Sequence, residues 1–206
     1  MARPAQADSA ATRRRILATA SLRFSSAGVN GCSIREIARE LEMSVATIHH
    51  HFGSKEGLHT ACLDAMYADL ATLKNTLIPT IGSTQGNVLE PVVRESWRFA
   101  RSHRLQLRLL MREVVSRGGL DARRREEKLL PFLDQGSELL ASQTGGDAAS
   151  MRLVLQSAIH LVVRYALGND EELAAFTGLP AGQAEEAIEN HLVCVIGAMA
   201  DPRIHP

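Results

Sequence analysis

SIREIARELEMSVATIHHHFGSKEG, residues 33–57, is the stretch whose reading decides the fold. Ile34, Ile37, Ala38 and Leu41 recur at i, i+3, i+4 and i+7, which puts one apolar face on a short helix. Ser33 precedes that face and Glu36 stands three residues on, the spacing of a reciprocal cap that satisfies two free N–H groups at a helix start. Glu42, Met43 and Ser44 then separate it from a second short helix anchored by Ile48 and Phe52. Two short helices joined in this way form a helix-turn-helix, whose second helix lies in the DNA major groove.

Spacing alone also fits a plain hairpin of core helices, so composition has to arbitrate. Val45, Ala46, Thr47, His49, His50 and His51 include no carboxylate, and each is small or able to hydrogen-bond to a phosphate or base edge. A solvated helix would carry Glu, Lys and Gln at such positions. The balance favours DNA binding.

Upstream, Asp8 or Ser9 is expected to cap a helix to about Ser26, with Ile16, Ala20 and Phe24 on its buried face and Arg13, Arg14 and Arg15 near its start. Gly28 and Gly31 end it. Downstream, Ser54 caps a long helix with the stripe Leu63, Met66, Leu70, Leu73 and Leu77, which Pro79 is expected to stop. The segment Gly82 to Asn87 reads as a surface loop. Further helices are expected over about 88–102, 105–117, 121–142, 147–167 and 181–200, with Pro131 kinking its own and paired glycines at 118–119 and 145–146 as stops. No stretch alternates convincingly as a strand, so the fold class expected is all-α. The predicted division is a three-helix DNA-binding domain over 1–55 and a larger helical domain for ligand binding and dimerisation over 56–206.

Composition is consistent with this. At 206 residues, 45% hydrophobic and 22% charged, the chain is long enough for one or two globular cores. No run approaches the ~18–20 apolar residues of a membrane span, and the N-terminus has no apolar signal core, so a cytoplasmic protein without a membrane partner is expected. Net charge is zero, yet residues 1–60 hold eight Lys/Arg against five Asp/Glu, and the remainder fifteen against eighteen. A mildly basic front end suits a protein that presents one end to phosphates. A non-specific architectural DNA binder would be more basic overall. Cys32, Cys62 and Cys194 are widely spaced and read as buried free thiols, with redox sensing by Cys32 the alternative.

The segment SIREIARELEMSVATIHHHFGSKEGLHTACL, with the helix TRRRILATASLRFSSAGVNG before it, resembles the DNA-binding signature of the TetR family of bacterial transcription regulators. The likeness covers roughly residues 10–65 and rests on Ser33, Ile37-Ala38, Met43-Ser44, Thr47-Ile48, His51-Phe52 and Ser54-Lys55-Glu56. It implies that the helix around Val45 enters the major groove, with Val45, Ala46, His49 and His50 at base edges and Arg35 reaching in from the helix before. Ser33, Ser44, Thr47, His51 and Lys55 would hold phosphates, Lys55 at a helix start whose dipole already favours an anion. The chain departs from the family at Glu42, where Gly is usual, at His49, where Tyr is usual, and at Ala46, where Gly is common. A non-Gly residue in a left-handed turn costs about 1–2 kcal/mol, so the turn is expected to be shaped differently. The resemblance further implies a homodimeric repressor on a palindromic operator, released by an unidentified small-molecule effector.

The homodimer has residue-level support. Leu153, Val154, Leu155, Ile159, Leu161, Val162 and Val163 surround most of one helix, and Ile188, Leu192, Val195 and Met199 line the last. Helices this apolar seek burial, and a second copy of the pair 147–167 and 181–200 would supply it; internal core is the alternative. Trp97, Phe99, His103, Met111, Phe132 and His160 are the candidate effector-lining residues, being large or polar within apolar stretches. Arg104, Arg108 and Arg112 form an i+4 stripe read first as a solvated face and second as contact with an anion or the DNA-binding head. Three consecutive histidines point about 100° apart on a helix and cannot converge on one ion, so no metal and no cofactor is expected. No nucleotide-binding, zinc-protease or nucleophile-elbow motif occurs, and an enzyme is not expected.

Overall fold

In a computed structural model of the chain, which describes residues 3–83 and 87–201, all regular structure is helical. The helices are α1 (Arg3–Ala27), α2 (Ile34–Glu40), α3 (Val45–Phe52), α4 (Lys55–Ser83), α5 (Leu89–Ser102) and α6 (Arg104–Arg117). They continue as α7 (Ala122–Arg124), a π-helical turn (Arg125–Leu129), α8 (Leu130–Thr144), α9 (Ala148–Ala166), α10 (Asp170–Thr177) and α11 (Ala181–Met199). The chain divides into two compact units, Met1–Asp69 with Leu105–Gly119, and Leu70–Arg104 with Leu120–Pro206. The division falls within α4, not at its start.

The first unit is built on the faces that periodicity marks. Ile16, Ala20 and Phe24 of α1, Ile37 of α2, Ile48 of α3, and Leu58 and Met66 of α4 are all fully buried. Each of these side chains other than Ala20 contributes about 1.5–3 kcal/mol by leaving water. α6 joins this unit through Arg112, whose guanidinium donates to the carbonyls of Ser25 and Ser26 at the end of α1. A cation there complements the negative end of the helix dipole. Gly28, at φ +75, ends α1 just beyond, and Arg112 lies so close that a Cβ on Gly28 would stand 2.9 Å from its Nη2. The arginine stripe is therefore not simply a solvated face.

The second unit packs α5 against α9 and α11, and α8 against α9. Gly136 allows the α8–α9 approach; a Cβ there would meet Leu155 Cδ2 at 2.8 Å. Arg101 ties four elements together. It donates to Ala166 O and Gly168 O at the end of α9, pairs with Asp170 of α10 and Glu185 of α11, and lies over the Trp97 ring of its own helix. Arg104 also donates to Gly168 O.

Several expectations are corrected. α1 begins at Arg3, so Asp8 and Ser9 lie inside it; Pro4 sits in the first turn, where its missing N–H is not needed. α4 runs through Pro79 to Ser83. Burial of Leu77 and Ile81 in the second unit holds the turns on either side of the proline, against a cost of about 3 kcal/mol. The expected loop at 82–87 thus begins later, and residues 84–86 lie outside the described residues. Pro131 is accommodated by the π-helical turn before it, where Leu130 N–H bonds back to Arg125 O and the lengthened register makes room for the ring. α10 was not anticipated. Asn169 caps it by accepting from Glu172 N at 2.8 Å and Gly178 ends it in a left-handed conformation. Cys32 and Cys62 are buried as expected, whereas Cys194 is exposed.

Candidate nucleic-acid interface

The site is assembled by caps. Ser33 Oγ accepts from Glu36 N at 3.2 Å and donates to Glu36 Oε2 at 2.9 Å, while Ser33 N donates to the same carboxylate at 2.8 Å. These bonds hold the Glu36 carboxyl below its ordinary range. They also spend the Ser33 hydroxyl proton and amide, so the phosphate role expected of Ser33 competes with its cap. At the other end of α2, Met43 N donates to Ala38 O at 2.9 Å and Glu42 N to Arg39 O at 3.2 Å. This paired stop requires a left-handed residue between them, and Glu42 supplies it at φ 54. The turn keeps the left-handed shape that glycine would favour instead of being reshaped, and the strain is carried by Glu42.

Ser44 then caps α3, accepting from Thr47 N at 3.0 Å with the Thr47 hydroxyl 2.8 Å away. Ile48 buries α3 on its inner side and Phe52 lies beneath the Arg13 guanidinium at 5.0 Å. Ala46, His49 and His50 are exposed; Val45, Thr47 and His51 are half-buried. His50 and His51 meet edge to face at 5.5 Å between ring centres, which fits neighbouring rings better than a shared ion.

Between α3 and α4 the chain makes a γ-turn. Gly53 has φ 73 and ψ −60, and Ser54 N donates to Phe52 O at 2.8 Å across it. Gly57 is required one turn later, because a Cβ there would lie 2.2 Å from Phe52 O. Ser54 caps α4 by accepting from Gly57 N at 3.0 Å. Glu56 is held below the ordinary carboxyl range by its own backbone N–H and by Ser54. Lys55, half-buried, thus stands on a rigid, dipole-positive helix start.

Charge accounting sharpens the face. Glu36 is engaged in its cap, and Glu40 is paired with Arg23 at 2.6 Å. Arg35 and Arg39 are exposed, and Arg39 adds to the forces that hold the Glu36 carboxyl down. Arg13 and Ser54 were not singled out as site residues from the sequence. Arg13 belongs to a run of three arginines whose spacing does not tell which one meets α3.

Residues 16–62 match the bacterial regulatory proteins of the tetR family. Over those residues the chain is similar to that family. It is 30% identical over 106 residues to the probable HTH-type transcriptional regulator YttP of Bacillus subtilis, an overlap of 50% of this chain and 51% of that protein, so the chain spans about half the length of this curated relative. In fold it is similar to a TetR-like transcriptional regulator from Rhodococcus, at TM-score 0.60 and 20% identity over 87% of this chain and 92% of the other. It is also similar to a TetR variant from Acinetobacter baumannii in complex with minocycline, at TM-score 0.54 and 18% identity over 93% and 96%. The family and these relatives are regulators and not enzymes.

The effector candidates are scattered. Phe99 and His103 stack at 4.1 Å between ring centres on α5 and its C-cap. Trp97 is buried under Arg101. Phe132 lies half-buried on α8, His160 is exposed on α9, and Met111 belongs to the other compact unit. Among these six, only Phe99 and His103 are brought together by a described contact. No described helix is long and apolar enough to cross a membrane.

Proposed function

We propose that this chain is a TetR-type regulator: a cytoplasmic, sequence-specific DNA-binding protein acting as a homodimeric repressor of a palindromic operator from which a small-molecule effector releases it. The observation that carries the DNA reading is α3 itself: a helix capped at Ser44, free of carboxylates and flanked by the exposed cations Arg35 and Arg39. Arg35 would make the bidentate guanine contact, His49, His50, Val45 and Ala46 would meet other base edges, and Thr47, Ser44, His51 and Lys55 would hold phosphates.

The homodimer reading is supported by α9, where Leu153 is 70% exposed on a helix rich in large apolar residues. Pairing α9 and α11 with a second copy would cover it. Effector release is supported by the minocycline complex of a protein similar in fold. Its mechanism is linkage, since an effector preferring the dimer with splayed heads lowers DNA affinity and DNA reciprocally lowers effector affinity. Selection of bound sequences from random DNA tests the central claim. A two-fold symmetric site is the expected outcome; enrichment of no symmetric site would refute it.

A further inference from the structure

The α3–α4 junction fixes the polarity of one side chain. His49 Nδ1 lies 2.7 Å from Gly53 O. A carbonyl oxygen only accepts, so Nδ1 carries the proton. Gly53 N returns a bond to His49 O at 2.8 Å, so ring and turn hold each other through two hydrogen bonds. The positive φ of Gly53 is what turns its carbonyl back towards the ring, and glycine is the residue that adopts it without strain. His49 is exposed, and its Nε2 has no partner among the described residues. With the proton fixed on Nδ1, a neutral ring leaves Nε2 as a bare lone pair.

We propose that His49 reads the operator as a hydrogen-bond acceptor, through Nε2, against an exocyclic amino group of a base in the major groove. The proposal rests on the DNA-binding reading above. Adenine N6 and cytosine N4 are the amino groups displayed there, and their position differs with the identity and orientation of the pair, so an acceptor held in one place discriminates by placement. Arg35, which can only donate, reads the complementary acceptor pair of guanine N7 and O6. A lone pair facing a phosphate oxygen would be repelled, which separates His49 in role from Lys55. A tyrosine at this position could not form the same closed pair with Gly53, and its hydroxyl could donate as well as accept.

Two measurements test this. The first is ¹⁵N spectroscopy of the full chain labelled at histidine, free of DNA and at about pH 8, above the range in which histidine ordinarily titrates; the His49 signal is assigned by its loss in His49→Gln. The proton is expected on Nδ1, and an Nε2–H tautomer would overturn the proposal whatever the protein binds. The second uses the site selected from random DNA, with base analogues at each position. Purine in place of adenine, or 2-pyrimidinone in place of cytosine, removes the amino group, whereas 7-deaza bases remove only N7. At one position per half-site, amino removal should weaken wild-type binding about five- to tenfold and leave His49→Ala binding unchanged. A His49-dependent loss on 7-deaza substitution, or no His49-dependent position at all, refutes the acceptor role while leaving DNA binding intact. Failure of the wild type to select any site refutes the DNA reading itself, and the proposal with it.

Discussion

Replacing Glu42 by glycine should make the protein more stable. The two hydrogen bonds that close α2 hold residue 42 at φ 54, and glutamate occupies that left-handed region at a cost of about 1–2 kcal/mol. Glycine removes the clash but gives back about 0.4–1 kcal/mol through its extra freedom in the unfolded chain. The net gain is at most about 1.6 kcal/mol and centres on about 0.8 kcal/mol, with about 2–4 °C in Tm for each kcal/mol in a chain of this size. Charge must be separated from strain, because Glu42 is exposed and its carboxylate would also repel DNA. Glu42→Gln keeps the strain and removes the charge; Glu42→Asn relieves part of the strain; Glu42→Ala keeps most of it. Urea unfolding should rank glycine above asparagine, with asparagine above glutamine, alanine and the wild type. If glycine and glutamine gave equal midpoints, the left-handed strain argument would be wrong. In DNA binding the ranking should differ, with glycine and glutamine both tightening the complex because both remove the anion.

Gly57→Ala should destabilise the first unit sharply, since the new Cβ would fall 2.2 Å from a backbone oxygen; a melting temperature within a degree or so of wild type would contradict the close packing. Lys55→Ala should weaken operator and scrambled DNA alike and reduce the salt slope by about one, whereas Arg35→Ala should cost about 1–3 kcal/mol on operator alone; equal losses for both variants on both DNAs would dismiss these roles. Glu36 has its folded pKa lowered by Ser33, so its contribution is present at neutral pH and lost as pH falls through that lowered value. Glu36→Gln should accordingly flatten the decline of stability between about pH 5 and 3, and parallel curves would count against it. Burial pushes the Cys62 thiol up to about 11 and raises that of Cys32, so a maleimide at pH 8 should modify Cys194 first; rapid labelling of Cys32 in the folded protein would revive a redox role.

The parts legible in the sequence were those fixed by local chemistry. The cap at Ser33, the buried faces of α1 to α3, the cap at Ser54 and the helix at Asp147 each follow from residues within one or two turns. Pro79 misled because propensity is a local tendency, and burial of Leu77 and Ile81 outweighs it. α10 escaped because eight residues give periodicity too little to work on, although its cap and stop were both present. The grouping of α6 with the N-terminal unit depends on Arg112 meeting carbonyls 86 and 87 residues away, a relation that no window of sequence contains.

His49 shows the same limit within the site. Its position on α3 and its departure from tyrosine were readable, and both suggested a base-edge contact. Which nitrogen keeps the proton was not, because that depends on the direction of one carbonyl beyond a γ-turn. The sequence held the enabling residue, Gly53, without the conformation that gives it meaning. A histidine free to choose its tautomer could serve as donor or acceptor and would discriminate weakly. Held by Gly53, it can offer only a lone pair when neutral, and a substitution such as Gly53→Ala should loosen base preference at the His49 position before it weakens binding overall. Loss of affinity with base preference unchanged would show instead that the turn serves only to set the angle between α3 and α4.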